Sequence, residues 1–384
     1  MKVYLDNSAT SYPKPEDVYY SVFNYMKNIG ANPGRGGYAN VLEGDRIIFS
    51  CREALMKLFN FNKLENVIFT SNITESLNIL LKSVIKEGWH IITSSMEHNS
   101  ILRPLSNLKE TKHIDLDIIE CPESGILNIE DFKKAIKFNT KLVVLTHASN
   151  IIGSIQPLKE VGKICQEKGI YFIVDSAQSA GAIPVDFSEI GCNALAFTGH
   201  KSLLGPQGTG GFLIDDDLNK EASPFIEGGT GSLSKSITQP DFLPDKFESG
   251  TLNAPGIAGL LAGINYITKE GILSIQEKEQ QLCQHFIDGL LNIPSIKVYG
   301  AKDASLRTPT ISINSTKINN AELGFILDRD YGIMARAGLH CAPLAHKTIK
   351  TLSEGTLRFS LGPFNDKKDI DYTLYALNLI LGSV

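Results

Sequence analysis

Phe172-Ile-Val-Asp-Ser-Ala-Gln178 and, about 25 residues on, Ala196-Phe-Thr-Gly-His-Lys-Ser-Leu-Leu-Gly-Pro-Gln-Gly-Thr-Gly-Gly211 decide how this chain is read. Each opens as a short apolar run that suits a buried strand and closes on polar side chains that such a strand does not bury. Similar runs stand at Val67-Ile-Phe-Thr70, His90-Ile-Ile-Thr93, Leu142-Val-Val-Leu-Thr146 and Gly211-Phe-Leu-Ile214. Between most of them lie stretches of helical period, at 74–87, 129–137 and 158–168. Alternating strand and helix predicts an α/β fold around a mainly parallel sheet. In such a sheet ligands bind beyond the strand ends, where both quoted segments turn polar.

After about residue 255 the pattern changes. Two long helical stretches, 256–269 and 272–291, precede separated strands near 308–313, 332–334 and 356–360 and a final helical spacing of Ile370, Leu374, Leu377 and Leu381. This reads as a smaller α+β domain of residues 256–384, joined by an N-terminal arm of residues 1–14, beside a large domain of residues 15–255. The polar, glycine-rich segment Gly228 to Pro240 reads as a mobile loop.

A chain of 384 residues is long enough for two packed domains. With 37 basic and 42 acidic residues the net charge is −5, so nothing electrostatic favours nucleic acid or an anionic membrane, and a small-molecule substrate is expected. Polar residues interrupt the N-terminal segment before a signal core forms, and no apolar run approaches a membrane-spanning length, so a cytoplasmic location is expected. The six cysteines contain no C-x-x-C pair and no metal-like spacing, which predicts reduced thiols, no disulfide framework and no metal site. Five lie in apolar, helix-like or strand-like settings; Cys341 instead follows Gly338 and precedes Ala-Pro in a turn.

The polar strand ends suit pyridoxal phosphate (PLP), whose chemistry needs a lysine to form a Schiff base, an acid to protonate the ring nitrogen, and donors for a dianionic phosphate. Lys201 is the candidate lysine and Asp175 the ring-nitrogen acid, with Gln178 and Asn150 as donors to the ring oxygen. In Thr70-Ser-Asn-Ile-Thr-Glu75 a strand passes into a helix, whose first N–H groups, with the Thr74 hydroxyl, favour an anion. Thr198 and His200 add two more contacts, and His98 is placed to stack on the ring. Each residue also has a plain structural reading: an Asp ending a strand is often a turn residue, and Asn72 with Glu75 is a capping box. What outweighs those readings is the occurrence of all of them, in order, at successive strand ends.

Over nearly its full length the chain resembles the class V aminotransferase group of fold-type-I PLP enzymes, and within it the cysteine desulfurases of the SUF-type and selenocysteine lyase-like branch. The resemblance is carried by Tyr4-Leu-Asp-Asn-Ser-Ala-Thr10, Ile73-Thr-Glu75, Met96-Glu-His98, Ser149-Asn150, Val174-Asp-Ser-Ala-Gln178, Thr198-Gly-His-Lys201, Phe247-Glu-Ser-Gly-Thr-Leu-Asn253 and Arg336-Ala-Gly-Leu-His-Cys341. It implies a seven-stranded sheet, PLP as cofactor, and conversion of L-cysteine to L-alanine with a persulfide on Cys341. By the same resemblance Ile73 joins the cofactor-binding set, His98 becomes a catalytic proton carrier, and Asn150 and Arg358 meet the substrate, Arg358 at its carboxylate. Arg336 helps there and orients the cysteine loop. Thr251 reaches the phosphate of a neighbouring subunit's cofactor, which implies a homodimer, and a sulfur-acceptor protein is implied as partner, serving iron–sulfur cluster assembly or another sulfur pathway. Two positions depart from the pattern: Leu339 where many relatives carry a second histidine, and Ser8 where alanine is common. Selenocysteine cleavage, another class V reaction such as transamination, and a scaffold without activity are the competing readings.

Overall fold

The computed structural model describes residues 2–34 and 36–382. Its strands in chain order are β1 (Val3–Tyr4), β2 (Val67–Thr70), β3 (His90–Ser94), β4 (Asp115–Ile119), β5 (Thr140–Thr146), β6 (Tyr171–Asp175) and β7 (Ala194–Thr198). They continue with β8 (Gly210–Ile214), β9 (Ile296–Val298), β10 (Thr310–Ser315), β11 (Ile333–Met334), β12 (Arg336–Gly338) and β13 (Thr356–Ser360). Seven form the large sheet in the order β2-β8-β7-β6-β5-β3-β4. All its pairings are parallel except those of β8, which runs antiparallel to both β2 and β7.

Period-two alternation places successive apolar side chains of each central strand on opposite faces. Val143, Leu145, Phe172, Val174, Leu195 and Phe197 join one apolar cluster, with residues of the helices Ala39–Leu58 and Leu158–Lys168. Leu142, Val144, Ile173, Ala194 and Ala196 face the other way, among residues of Ile73–Val84 and Asn99–Thr111. Helices thus cover both faces, which explains why these strands read as continuous apolar runs.

Strand β4 escaped the strand pattern. Asp115-Leu-Asp-Ile-Ile119 lies at the sheet edge and is mostly solvent-facing, so no unbroken apolar run marks it. The Lys137 ammonium bridges Asp115 (2.8 Å) and Asp117 (3.0 Å) there, a charged edge that discourages pairing with another chain.

A second sheet, β12-β13-β10-β9, is wholly antiparallel, and its apolar cluster is completed by the helices Ile272–Leu291 and Lys367–Gly382. The chain's start crosses to this side, where β1 pairs with β11, Val3 opposite Ile333. The helix Ala254–Glu270 packs instead towards the large sheet: Ile257, Leu260, Ile264 and Ile267 share a cluster with Leu195 and Phe197. The helix expected over 74–87 stops at Val84, with Ile85 already extended. Segment 228–240 forms neither helix nor strand, and no helix among the described residues is long and apolar enough to cross a membrane.

Candidate active site

Five strands of the large sheet end at one place. The segments after β2, β3, β5, β6 and β7 bring Ile73, Thr74, His98, Asn150, Asp175, Gln178, Thr198, His200 and Lys201 onto the wall of a single cavity of about 570 Å³. Two glycines permit the close approach. Gly181 has φ +87°, and a Cβ there would lie 2.3 Å from the Ser202 carbonyl oxygen, so the turn after Gln178 can pack under the Lys201 loop. At Gly210 a Cβ would meet the Asn72 backbone at 2.7 Å, which lets β8 lie beside the turn after β2.

The Lys201 side-chain amine makes no hydrogen bond or ion pair within the described residues, and burial lowers it to a pKa of about 8 despite the opposing pull of Asp175. Asp175 is buried; one carboxylate oxygen accepts from the Ala177 N–H at 2.9 Å, and desolvation raises its pKa. His98 caps the helix Asn99–Thr111: its Nδ1 accepts from the Ser100 N–H at 3.0 Å, which leaves Nε2 to carry the proton of the neutral ring. Burial, then the charges of Lys201, Arg103 and Arg358, lower its pKa to about 4, so the ring is uncharged at neutral pH.

At the start of Ile73–Val84 the capping reading holds for Asn72, whose Oδ1 accepts from the Glu75 N–H, while the Glu75 carboxylate reaches one residue further and accepts from the Ser71 N–H at 2.7 Å. The N–H groups of Ile73 and Thr74 stay free for another acceptor, as helix geometry requires. On the same wall, the buried atoms Thr198 Oγ1 and His200 Nδ1 lack hydrogen-bond partners. Free helix N–H groups, two orphaned polar atoms and a lysine and a carboxylate in one cavity form a donor set that fits PLP.

Two amides from the sequence reading are partly engaged elsewhere. Gln178 Nε2 donates to the Ser8 carbonyl at 3.1 Å, and Asn150 Nδ2 donates to the His340 carbonyl at 2.7 Å. Asn150 thereby ties the cavity to the cysteine turn. The Ser8 hydroxyl has its own partner in Thr310 Oγ1 at 2.7 Å, so this buried serine is hydrogen-bonded.

Arg358 and Arg336 stand directly opposite each other on β13 and β12. Like charges in that register repel. Asp6, which the sequence does not mark as a site residue, relieves this: its Oδ1 meets Arg358 Nη2 and its Oδ2 meets Arg336 Nε, each at 2.9 Å. Arg358 is buried, also donates to the Asn150 carbonyl at 3.0 Å, and keeps an unpartnered Nε. Asp6 lies in the quoted Tyr4–Thr10 segment, but its partners are more than 300 residues away in sequence, and no local pattern marks that link. Glu97, in the quoted Met96–His98 segment, is likewise marked by no local pattern. It is fully buried beside His98, accepts from Ser94 Oγ (2.6 Å) and the Thr146 N–H (2.8 Å), and burial raises its pKa to about 8.

Cys341 is the exposed member of the six cysteines, and the other five are buried, with thiol pKa values raised by desolvation. It sits with His340 on a left-handed turn, φ 60° and 47°, where its carbonyl accepts from the Asn99 N–H at 2.8 Å. Thr251 does not reach the cavity of its own chain. It lies exposed in an adjoining groove that shares Ser71 and Gly208 with the cavity wall. Glu248 anchors that segment through a buried two-oxygen pairing with Arg52 (2.9 and 2.7 Å) and through the Phe69 N–H.

A sheet crevice built this way defines a PLP-type fold, and the family follows from comparison. The Aminotransferase class-V family matches residues 3–373, and the chain belongs to it. A probable cysteine desulfurase of Methanothermobacter thermautotrophicus is 34% identical over 99% of this chain and 95% of that protein. A cysteine desulfurase of Yersinia pseudotuberculosis is 31% identical over 98% and 93%. Among solved structures, the apo cysteine desulfurase of Thermococcus onnurineus NA1 superposes with a TM-score of 0.93 at 31% identity, covering 100% and 95% of the two chains. The cysteine desulfurase CsdA of Escherichia coli gives 0.90 at 25%, with coverage of 100% and 95%. These neighbours favour cysteine desulfuration over selenocysteine cleavage or transamination.

Proposed function

We propose that this protein is a PLP-dependent cysteine desulfurase that converts L-cysteine to L-alanine and retains the sulfur as a persulfide on Cys341. The observation that carries it is the pairing of a lysine of lowered pKa beside a buried carboxylate with an exposed thiol on a turn tied to the same cavity. PLP, when bound, supplies an aldehyde for amino groups and a ring that takes up the electron pair released at the substrate's α-carbon. Lys201 would hold it, Asp175 would face its ring nitrogen, and Ile73, Thr74, Thr198 and His200 would receive its phosphate, with Gln178 and Asn150 as further donors.

Arg358 holds the substrate carboxylate by its remaining donors, and Arg336 shares the Asp6 carboxylate that keeps Arg358 in place. Lys201, near neutrality in part uncharged, takes the α-proton. His98, with Nδ1 engaged at the helix start, has Nε2 left as the ring atom through which it would pass a proton. The Cys341 thiolate attacks the substrate sulfur; the new S–S bond forms as the C–S bond breaks, and the carbon keeps that electron pair and is protonated to the methyl group of alanine. The sulfur then passes to an acceptor protein, an iron–sulfur scaffold being one such recipient.

The family's homodimer is part of the same proposal, supported by the exposed Tyr20, Phe23, Met26, Tyr38 and Phe49 and by the position of Thr251 outside its own cavity. The division into residues 15–255 and residues 1–14 with 256–384 is proposed likewise, with Ala254–Glu270 as the helix that joins the two parts. Unpaired, mostly buried thiols suit the cytoplasm. The test is release of alanine and sulfide from L-cysteine with added PLP and a thiol reductant. Wild type is expected to give both products and Cys341→Ala neither; desulfuration that survives in Cys341→Ala would sink the assignment of the nucleophile.

A further inference from the structure

Cys341 lines not the cavity of Lys201 but a neighbouring groove of about 330 Å³. The two spaces touch, since Thr74, His98 and Ser100 border both. No Asp or Glu lines the groove, while Lys82 and Arg103 do. Among the described residues neither forms an ion pair; Lys82 rests over the Phe225 ring at 5.3 Å. Two uncompensated cations in a concave space beside a nucleophile concentrate anions there.

We propose that this groove binds the thiol that takes sulfur from Cys341, and that Arg103 and Lys82 select thiols carrying a carboxylate. The inference rests on the persulfide reading above. In the step it serves, the acceptor thiolate attacks the outer sulfur of the Cys341 persulfide. A new S–S bond forms on the acceptor, the old one breaks, and its electron pair leaves with Cys341 Sγ as thiolate. No net oxidation occurs; a second thiol then reduces the acceptor persulfide, releasing hydrogen sulfide and a disulfide. The carboxylate belongs either to a free small thiol or to an acidic residue beside a protein cysteine.

The test starts from PLP-loaded protein charged with L-cysteine and desalted, so that differences in the first step drop out. Persulfide on Cys341 is confirmed by mass, and its decay is followed with thioglycolate, with cysteamine, and with a peptide whose cysteine is flanked by aspartates. Relative to wild type, Lys82→Gln/Arg103→Gln is expected to slow decay with a carboxylate thiol about three- to tenfold and to leave cysteamine unslowed. Added salt should shrink that difference. A loss seen with thioglycolate assigns the site to small thiols, and one confined to the peptide assigns it to a protein segment. Equal ratios for all three thiols would overturn the inference. Failure to charge Cys341 at all would instead refute the persulfide reading on which it stands.

Discussion

At the scale of single residues, the site depends on charges held where water would not leave them. Lys201 shows the sign most simply. Its folded pKa of about 8 lies below the ordinary lysine value of 10.5, so between those values the unfolded chain binds the proton that the folded chain has lost. The stability of the cofactor-free protein therefore carries a penalty below pH 8 that is relieved as pH rises towards 10.5. Lys201→Met is expected to raise the unfolding free energy at pH 7 by roughly 2 kcal/mol, with the gain shrinking through that window. Urea titrations of both proteins at pH 7, 9 and 10.5 check this. Asp6 is the opposite case, a carboxylate whose loss strands two arginines. Asp6→Asn should cost about 3 kcal/mol, since the buried Arg358 loses its counter-charge. Adding Arg336→Gln should recover part of that loss by removing the cross-strand repulsion, and a double-mutant cycle in denaturant measures it.

Elements carry these residues into place through contacts that sequence shows unequally. The central strands are readable because both their faces are covered, so their middles are unbroken apolar runs. Strand β4, at one sheet edge, and the three-residue strands β9 and β12, at the two edges of the smaller sheet, give no such signal, because edge strands are short or partly open to solvent. The buried Arg52–Glu248 pair links the helix Ala39–Leu58 to the segment that presents Thr251. Glu248→Ala is expected to lower stability by about 3–5 kcal/mol, whereas Arg52→Met/Glu248→Leu should cost much less because no charge is left buried alone. Thermal and urea unfolding of the three proteins distinguish these outcomes.

At the scale of the whole molecule, the proposed homodimer would cover the apolar side chains exposed on the helices Glu16–Asn24 and Ala39–Leu58 and would give Thr251, which lies outside its own cavity, a phosphate to reach. Phe23→Asp/Met26→Asp is expected to weaken self-association by about 100-fold or more and to loosen PLP, if the neighbouring subunit completes the phosphate site. Sedimentation velocity and the release of PLP on dilution would show it. An unchanged dimer with intact PLP binding would place the subunit interface elsewhere.

The sequence by itself determined the α/β class, the strand ends that carry Lys201, Asp175 and His98, and the standing of Cys341 apart from the other cysteines. These are legible because burial imposes a two-residue or 3.6-residue period, and because the polar residues recur, in order, at successive strand ends. Only the tertiary structure decided that Asp6 bridges Arg336 and Arg358, that Asn150 spends a hydrogen bond on the cysteine turn, and that Cys341 faces a groove separate from the lysine's cavity. The physical reason is range. A period reports what each residue does to its own element, whereas an ion pair across more than 300 residues and the shape of a cleft exist only once the two sheets are brought together.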